Sequence, residues 1–161
     1  DLLLSLRMHG QGADRYEHVH VGYNSRLDTI QAAILIEKLK IFPDEIEMRE
    51  LVARRYNDAF AGNNRIITPT VIEGARSTWA QYTLKVADRA KFQAGMKERG
   101  VPTAVYYPIP LSRQKAYAQY PSAPVPVSEE LSGQVVSLPM HPYLDEATQG
   151  RIVAAALASV A

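Results

Sequence analysis

The chain has 161 residues, 47% of them hydrophobic, and a formal net charge of +1, enough for one domain or for a small domain plus part of a larger one. That charge balance gives no bulk electrostatic case for nucleic acid or an anionic membrane surface, and no apolar run approaches the ~20 residues of a membrane-spanning helix. There is no cysteine, hence no disulfide framework and no thiolate metal site, which fits a cytoplasmic protein.

The first residue is not Met, and an apolar stretch, Leu2-Leu3-Leu4, begins at once. It is too short and wrongly flanked for a signal peptide. Residues 1–8 therefore read as the end of a helix in a chain that starts inside a larger protein, stopped by Gly10 and Gly12. Residues 11–23 alternate His18 and His20 against Val19 and Val21, but glycines bracket the stretch, which favours a loop over a strand. Ser25-Arg26-Leu27-Asp28 has the spacing of a capping box and predicts a helix over 27–42. That helix carries Ile30, Ile34, Leu35, Ile36, Leu39, Ile41 and Phe42 around most of its circumference, so it should be buried in a larger assembly. Pro43 suits a first helical turn, and Asp44 and Glu45 suit a helix N-terminus. A second helix, or a kinked continuation, is expected over 43–61 with Ile46, Ala53, Tyr56 and Phe60 on one stripe. Gly62 ends it, and Asn63-Asn64 marks a domain boundary, dividing the chain into 1–62 and 63–161.

The remainder reads as α+β. Residues 79–86 alternate Tyr82, Leu84 and Val86 against Gln81, Thr83 and Lys85, the pattern of a half-buried strand. Asp88 caps a helix ending before Gly100, and 101–106 form the next strand. Pro108 and Pro110 impose an extended segment, and Pro121, Pro124 and Pro126 mark a surface loop of polyproline character. A short strand follows at 135–138. Asp145 caps a last helix with Ile152, Val153, Ala156, Leu157 and Val160 on its inner face.

Few of these residues point to chemistry by themselves. His18 and His20 could chelate a metal from one face of a strand, but no third ligand stands at a telling distance, and a solvated loop is the better reading. His141 reads as a strand-end histidine. No phosphate-binding or nucleophile-elbow motif is present, and nothing local assembles a triad. Arg26 follows Asn24-Ser25 at a helix entrance, where free N–H groups attract anions and a guanidinium adds a bidentate fork. Ordinary helix capping explains the same residues. Tyr106 and Tyr107 precede two rigid prolines and could donate to a sugar or diphosphate oxygen; core packing plus a turn is the plainer alternative.

Taken together, several ordered motifs resemble the DegT/DnrJ/StrS-type sugar-nucleotide aminotransferases over nearly the whole chain. They are Arg7-Met8-His9-Gly10, the run from Gly22 to Leu35, Arg49 and Tyr56, Gly100-Val101-Pro102-Thr103 with Tyr107-Pro108, and Ser137-Leu138-Pro139-Met140-His141-Pro142. The run from Val101 to Leu111 resembles the branch that aminates a UDP-linked 3-keto-N-acetylglucosaminuronic acid for lipopolysaccharide building blocks. The resemblance implies an α/β fold of the aspartate-aminotransferase type (fold type I). This chain would be its C-terminal portion: the end of the large domain with long interdomain helices (1–62), then a small α+β domain (63–161).

The resemblance further implies pyridoxal 5'-phosphate as cofactor, a UDP-sugar and an amino-acid donor (usually glutamate) as substrates, and a homodimer with active sites at the interface. The six lysines, Lys38, Lys40, Lys85, Lys91, Lys97 and Lys115, all lack the family's Schiff-base context. The catalytic lysine is expected upstream of residue 1, and the chain alone is expected to be inactive. By matching position, Asn24 should reach the partner subunit's cofactor phosphate, Arg26 should meet the substrate, and Tyr106 and Tyr107 should line the substrate site. Tyr106 stands where the family pattern carries histidine, which puts any charge-based role there in doubt. A sugar dehydratase of the same family, or a non-catalytic dimerisation or sensor module, are the competing functions. No metal is implied.

Overall fold

Capping carboxylates and close backbone approaches set the element boundaries in a computed structural model, which describes residues 1–161. The chain condenses into two compact units, Asp1–Pro43 and Asp44–Ala161.

In the first unit, helix α1 (Leu2–Arg7) ends at Met8, and the chain reverses through His9 and Gly10, with φ of 62° and 78°. The reversal needs glycine twice. A Cβ on Gly10 would lie 1.8 Å from the His20 carbonyl oxygen, and one on Gly22 would lie 2.2 Å from the Gly10 nitrogen. Residues 11–23 are a loop held by isolated antiparallel bridges, Met8 with Asn24 and Gln11 with His18.

Helix α2 (Thr29–Phe60) begins two residues later than expected, and not through a capping box at Ser25. Asp28 Oδ1 accepts from the N–H groups of Ile30 (2.9 Å) and Gln31 (3.2 Å), whereas the Ser25 N–H donates to the Arg7 carbonyl at 3.0 Å. The bridge at Asn24 and the Ser25 N–H bond tie both residues to the end of α1, and Asp28, the next side chain able to cap, takes the role. The apolar residues of the first half of α2, Ile30, Ile34, Leu35, Ile36, Leu39, Ile41 and Phe42, are exposed in this chain.

Pro43 does not start a second helix. The helix runs through it, the continuation that the sequence had left open. In the second unit α2 buries Val52, Ala53, Tyr56 and Phe60, and Ile46 is only half-buried. Against them packs an antiparallel sheet in the order β1 (Ile66–Ile67), β2 (Tyr82–Val86), β3 (Val135–Leu138), with Tyr82 opposite Leu138 and Val86 opposite Ile66. β2 shows the expected alternation, Tyr82, Leu84 and Val86 buried and Thr83 and Lys85 half-buried. Residues 79–81 are not strand: Trp79 takes a φ of 50°, and its indole N–H donates to Glu50 at 2.7 Å. The expected strand over 101–106 reduces to one bridge, Ala104 with Ser137, closed by bonds of 3.1 and 2.7 Å. Pro102 lacks an N–H group that a longer ladder would use.

Helix α3 (Arg89–Glu98) is capped by Asp88, which accepts from the Lys91 N–H, and α5 (Glu146–Val160) by Asp145, which accepts from the Thr148 N–H. Hydrogen bonding to Thr148 holds the Asp145 carboxyl below the usual carboxylate range. Pro121 and Pro124 lie in a loop, but Pro126 opens an unanticipated helix, α4 (Pro126–Gln134), where its missing N–H costs nothing. Two short 3₁₀ turns, Leu111–Arg113 and Lys115–Tyr117, precede it.

The inner face of α5 is rotated from the expected one. Ile152 and Ala156 are buried as expected, but so are Gln149, Ala155 and Ser159, while Val153, Leu157 and Val160 are only partly covered. Gly95 of α3 permits this. A Cβ there would stand 2.6 Å from Ser159 Oγ and 3.3 Å from its Cα, and that hydroxyl already donates to the Ala155 carbonyl. Gly95→Ala is therefore expected to lose about 1–2 kcal/mol in chemical denaturation, since overpacking exceeds the ~1 kcal/mol gain in helix propensity. Gly150→Ala, in open space on α5, should instead gain up to ~1 kcal/mol. Equal responses at the two sites would exclude close α3–α5 packing as the cause.

Candidate functional site

Each candidate residue stands where local structure leaves it solvent-facing. Asn24 is bridged to Met8 through its backbone, with its side chain exposed. Two residues on, Arg26 Nη1 lies 3.5 Å from His9 Nε2. The entrance of α2 is not an open anion site, however. Asp28 already caps Ile30 and Gln31 with a negative charge of its own, so the groups here that could meet an anion are the Asn24 amide and the Arg26 fork rather than free helix N–H groups.

In the second unit, Tyr106 and Tyr107 have rings edge to face, centroids 5.9 Å apart. They line a cleft of about 610 Å³ together with Ile109, Pro110, Leu111, Gln114, Ser128, Leu131, Ser132 and Val135. The cleft is mostly apolar, with phenols, hydroxyls and the Gln114 carboxamide as its hydrogen-bonding side chains, and no charged side chain is among these residues. Such a surface suits the faces and hydroxyls of a sugar or base better than an isolated phosphate. Tyr107 is the more exposed of the two phenols.

A second cleft, about 530 Å³, brings Arg65, Lys85 and Lys91 together with Asp88 and Glu130. Two of its three cations are already engaged: Arg65 donates to the Val160 carbonyl and Lys91 to that of Ala161. Among the other lysines, Lys40 is ion-paired to Glu37 at 2.6 Å, and none of the six is buried. Burial is one setting in which an amine becomes nucleophilic at neutral pH. No three His, Cys, Asp or Glu side chains converge to hold a metal, and His141 is exposed. No helix is long and apolar enough to cross a membrane.

The structure thus joins Arg26 to His9, a contact spanning 17 residues that no motif spacing announces. It also joins Tyr106 and Tyr107 to α4, which supplies Ser128, Leu131 and Ser132. Those α4 residues were missed with their helix. The proline run pointed to a loop, although Pro126 at a first helical position was the available signal.

Comparison with known proteins places this geometry. Residues 1–157 match the DegT/DnrJ/EryC1/StrS aminotransferase family. The UDP-2-acetamido-2-deoxy-3-oxo-D-glucuronate aminotransferase of Pseudomonas aeruginosa is 50% identical over 149 residues, covering 92% of this chain and 40% of that protein. The chain therefore spans about two-fifths of the length of this relative. Among solved structures, a DegT DnrJ EryC1 StrS aminotransferase from Brucella abortus is 45% identical with a TM-score of 0.90, covering 99% of this chain and 43% of that one. NtdA from Bacillus subtilis, solved with bound cofactor PMP, is 27% identical with a TM-score of 0.84, covering 97% and 38%. The fold is the corresponding part of a fold type I aminotransferase, and with a match over residues 1–157 the chain belongs to the DegT/DnrJ/EryC1/StrS aminotransferase family.

Proposed function

We propose that this chain is the C-terminal part of a pyridoxal-phosphate-dependent enzyme that moves an amino group, from glutamate, to the keto carbon of UDP-2-acetamido-2-deoxy-3-oxo-D-glucuronate. The product would serve lipopolysaccharide or O-antigen synthesis in the cytoplasm. The observation that carries this reading is the 50% identity across 92% of the chain to the Pseudomonas enzyme of that name. Residues 1–62 would close the large domain and supply interdomain helices, and 63–161 would form the small domain.

The residues present fit only one edge of the cofactor. The exposed Asn24 amide and Arg26 guanidinium suit anionic oxygens, whereas none of the six lysines stands in a buried setting. When bound, the cofactor supplies an electron sink for the chemistry at the amine carbon. In this reading Asn24 binds the cofactor phosphate of the partner subunit. Arg26 holds a carboxylate or diphosphate of the substrate through its planar fork, and Tyr106 and Tyr107 offer phenol groups to the sugar nucleotide. The uncovered apolar face of α2 marks an interaction site, which a partner subunit of a homodimer would cover in this reading.

Three experiments test the proposal. The full-length enzyme, given this keto sugar and glutamate, should yield the 3-amino sugar by mass spectrometry; elimination of water instead would establish a dehydratase. The 161-residue chain, incubated with pyridoxal phosphate and reduced with borohydride, should show no stoichiometric adduct at any of its six lysines. A single site-specific adduct would overturn the assignment of the Schiff-base lysine to another part of the enzyme. In sedimentation the same chain should self-associate, since each Ile or Leu left exposed on α2 forgoes about 1.5–3 kcal/mol of burial. A concentration-independent monomer would count against the interface.

A further inference from the structure

We infer that His9 is a positioning residue for Arg26: its imidazole restrains one arm of the guanidinium while leaving both its charge and its second edge to the substrate. This rests on the reading that Arg26 holds the nucleotide sugar. Arg26 Nη1 and His9 Nε2 are 3.5 Å apart, and His9 is the one hydrogen-bond partner that the Arg26 side chain has. A guanidinium only donates, so Nε2 is the acceptor in this contact. At this length the bond is a restraint rather than a lock.

The chemistry of the partner matters. A carboxylate in the place of His9 would neutralise the guanidinium and compete with an incoming anion. An imidazole accepting through Nε2 orients the fork without cancelling its charge. With Nη1 engaged, Nε and Nη2, which share an edge of the guanidinium plane, stay free for a bidentate carboxylate or phosphate.

The backbone supports this arrangement on both sides. His9 sits at a φ of 62°, sparsely populated for any side chain other than those of Asn, Asp or His. Its N–H donates to the Tyr23 carbonyl at 2.9 Å. The strand of chain leading to Arg26 is tied to the same turn by the bridge between Met8 and Asn24 and by the Ser25 N–H, which donates to Arg7. The close approach of Gly22 to the backbone of His9 and Gly10 removes the slack between the two segments. Imidazole and guanidinium are thus held from one clamped turn.

The test uses the full-length enzyme with UDP-2-acetamido-2-deoxy-3-oxo-D-glucuronate and glutamate. His9→Gly keeps the positive φ and deletes the ring; His9→Gln restores an acceptor at similar reach. His9→Gly should raise KM for the nucleotide sugar about 3- to 10-fold, with kcat and KM for glutamate within about twofold of the parent. His9→Gln should recover most of the loss, and His9→Gly combined with Arg26→Ala should be no worse than Arg26→Ala alone. If Arg26→Ala raises KM but His9→Gly does not, or if the two effects multiply, the positioning role is overturned and the Arg26 reading stands. If Arg26→Ala itself leaves KM unchanged, the Arg26 reading falls and this inference with it. A loss in His9→Gly that His9→Gln does not recover, accompanied by a lower melting temperature, would make His9 a structural residue only.

Discussion

Tyr56→Ala is expected to destabilise the protein by about 3–5 kcal/mol, the range for truncating a large buried aromatic side chain. Tyr56 is fully buried on the second half of α2, its ring stacked parallel to Phe60 at 6.0 Å and tilted against Tyr82 at 4.8 Å. Its hydroxyl donates to the Pro139 carbonyl at 2.9 Å, and Tyr82 donates to Asn57 Oδ1. Tyr56→Phe separates the two contributions. It keeps the ring and leaves a carbonyl unpartnered, so about 1–3 kcal/mol should be lost. Burial pushes both phenols above the ordinary value of about 10. Such groups ionise first in the unfolded chain, so the stability they confer is complete below pH ~10 and falls as pH rises beyond it. Alkaline unfolding should therefore be shallower in Tyr56→Phe than in the parent. A melting temperature within 1–2 °C of the parent for Tyr56→Ala, a change of roughly that size being the signature of a surface site, would remove Tyr56 from the core.

That core was legible where periodicity is long and unbroken. The stripe through Ala53, Tyr56 and Phe60, the alternation of Tyr82, Leu84 and Val86, and the Asp88 and Asp145 caps all hold, because each depends on neighbours within one or two turns. Misreadings arise where a distant partner decides. Ser25 forfeits its cap to a bridge with the end of α1; α5 rolls because Gly95, some 60 residues earlier in sequence, admits Ser159 closely. Ile66–Ile67 is too short a strand to show a period at all, and exists through its pairing with Lys85 and Val86.

The candidate site divides in the same way. Arg26, Tyr106 and Tyr107 stood out from the residues themselves, Asn24 gained its role through family resemblance, and all four are exposed. What encloses them was not legible. His9 enters through the tertiary fold, and Ser128 and Ser132 enter through a helix hidden behind a proline run. The apolar half of α2 was read as needing a cover, and this chain supplies none. A surface whose partner lies outside the sequence can be recognised by its excess of apolar residues, but its occupant cannot be read from it.

Arg26→Ala in the full-length enzyme is expected to lower kcat/KM for the nucleotide sugar roughly 10- to 150-fold, the span for losing a charge-assisted bidentate contact to an anion. Arg26→Lys should recover only part of this, because an ammonium restores the charge without the planar fork. The fold should tolerate both changes. The α2 cap belongs to Asp28, and the only hydrogen bond of the Arg26 side chain is the long one to His9. Stability and catalysis should therefore separate at this position, in contrast to Asp28→Ala, which should lower the melting temperature by removing the α2 cap. The decisive measurement is a pair of kinetic and thermal profiles on the same variant. Unchanged kinetics with a lowered melting temperature would make Arg26 structural, and the substrate-holding role would have to move to another cation. Raised KM with an unchanged melting temperature would place the guanidinium on the substrate. A fall in kcat alone would instead assign it to an interaction made only in the transition state.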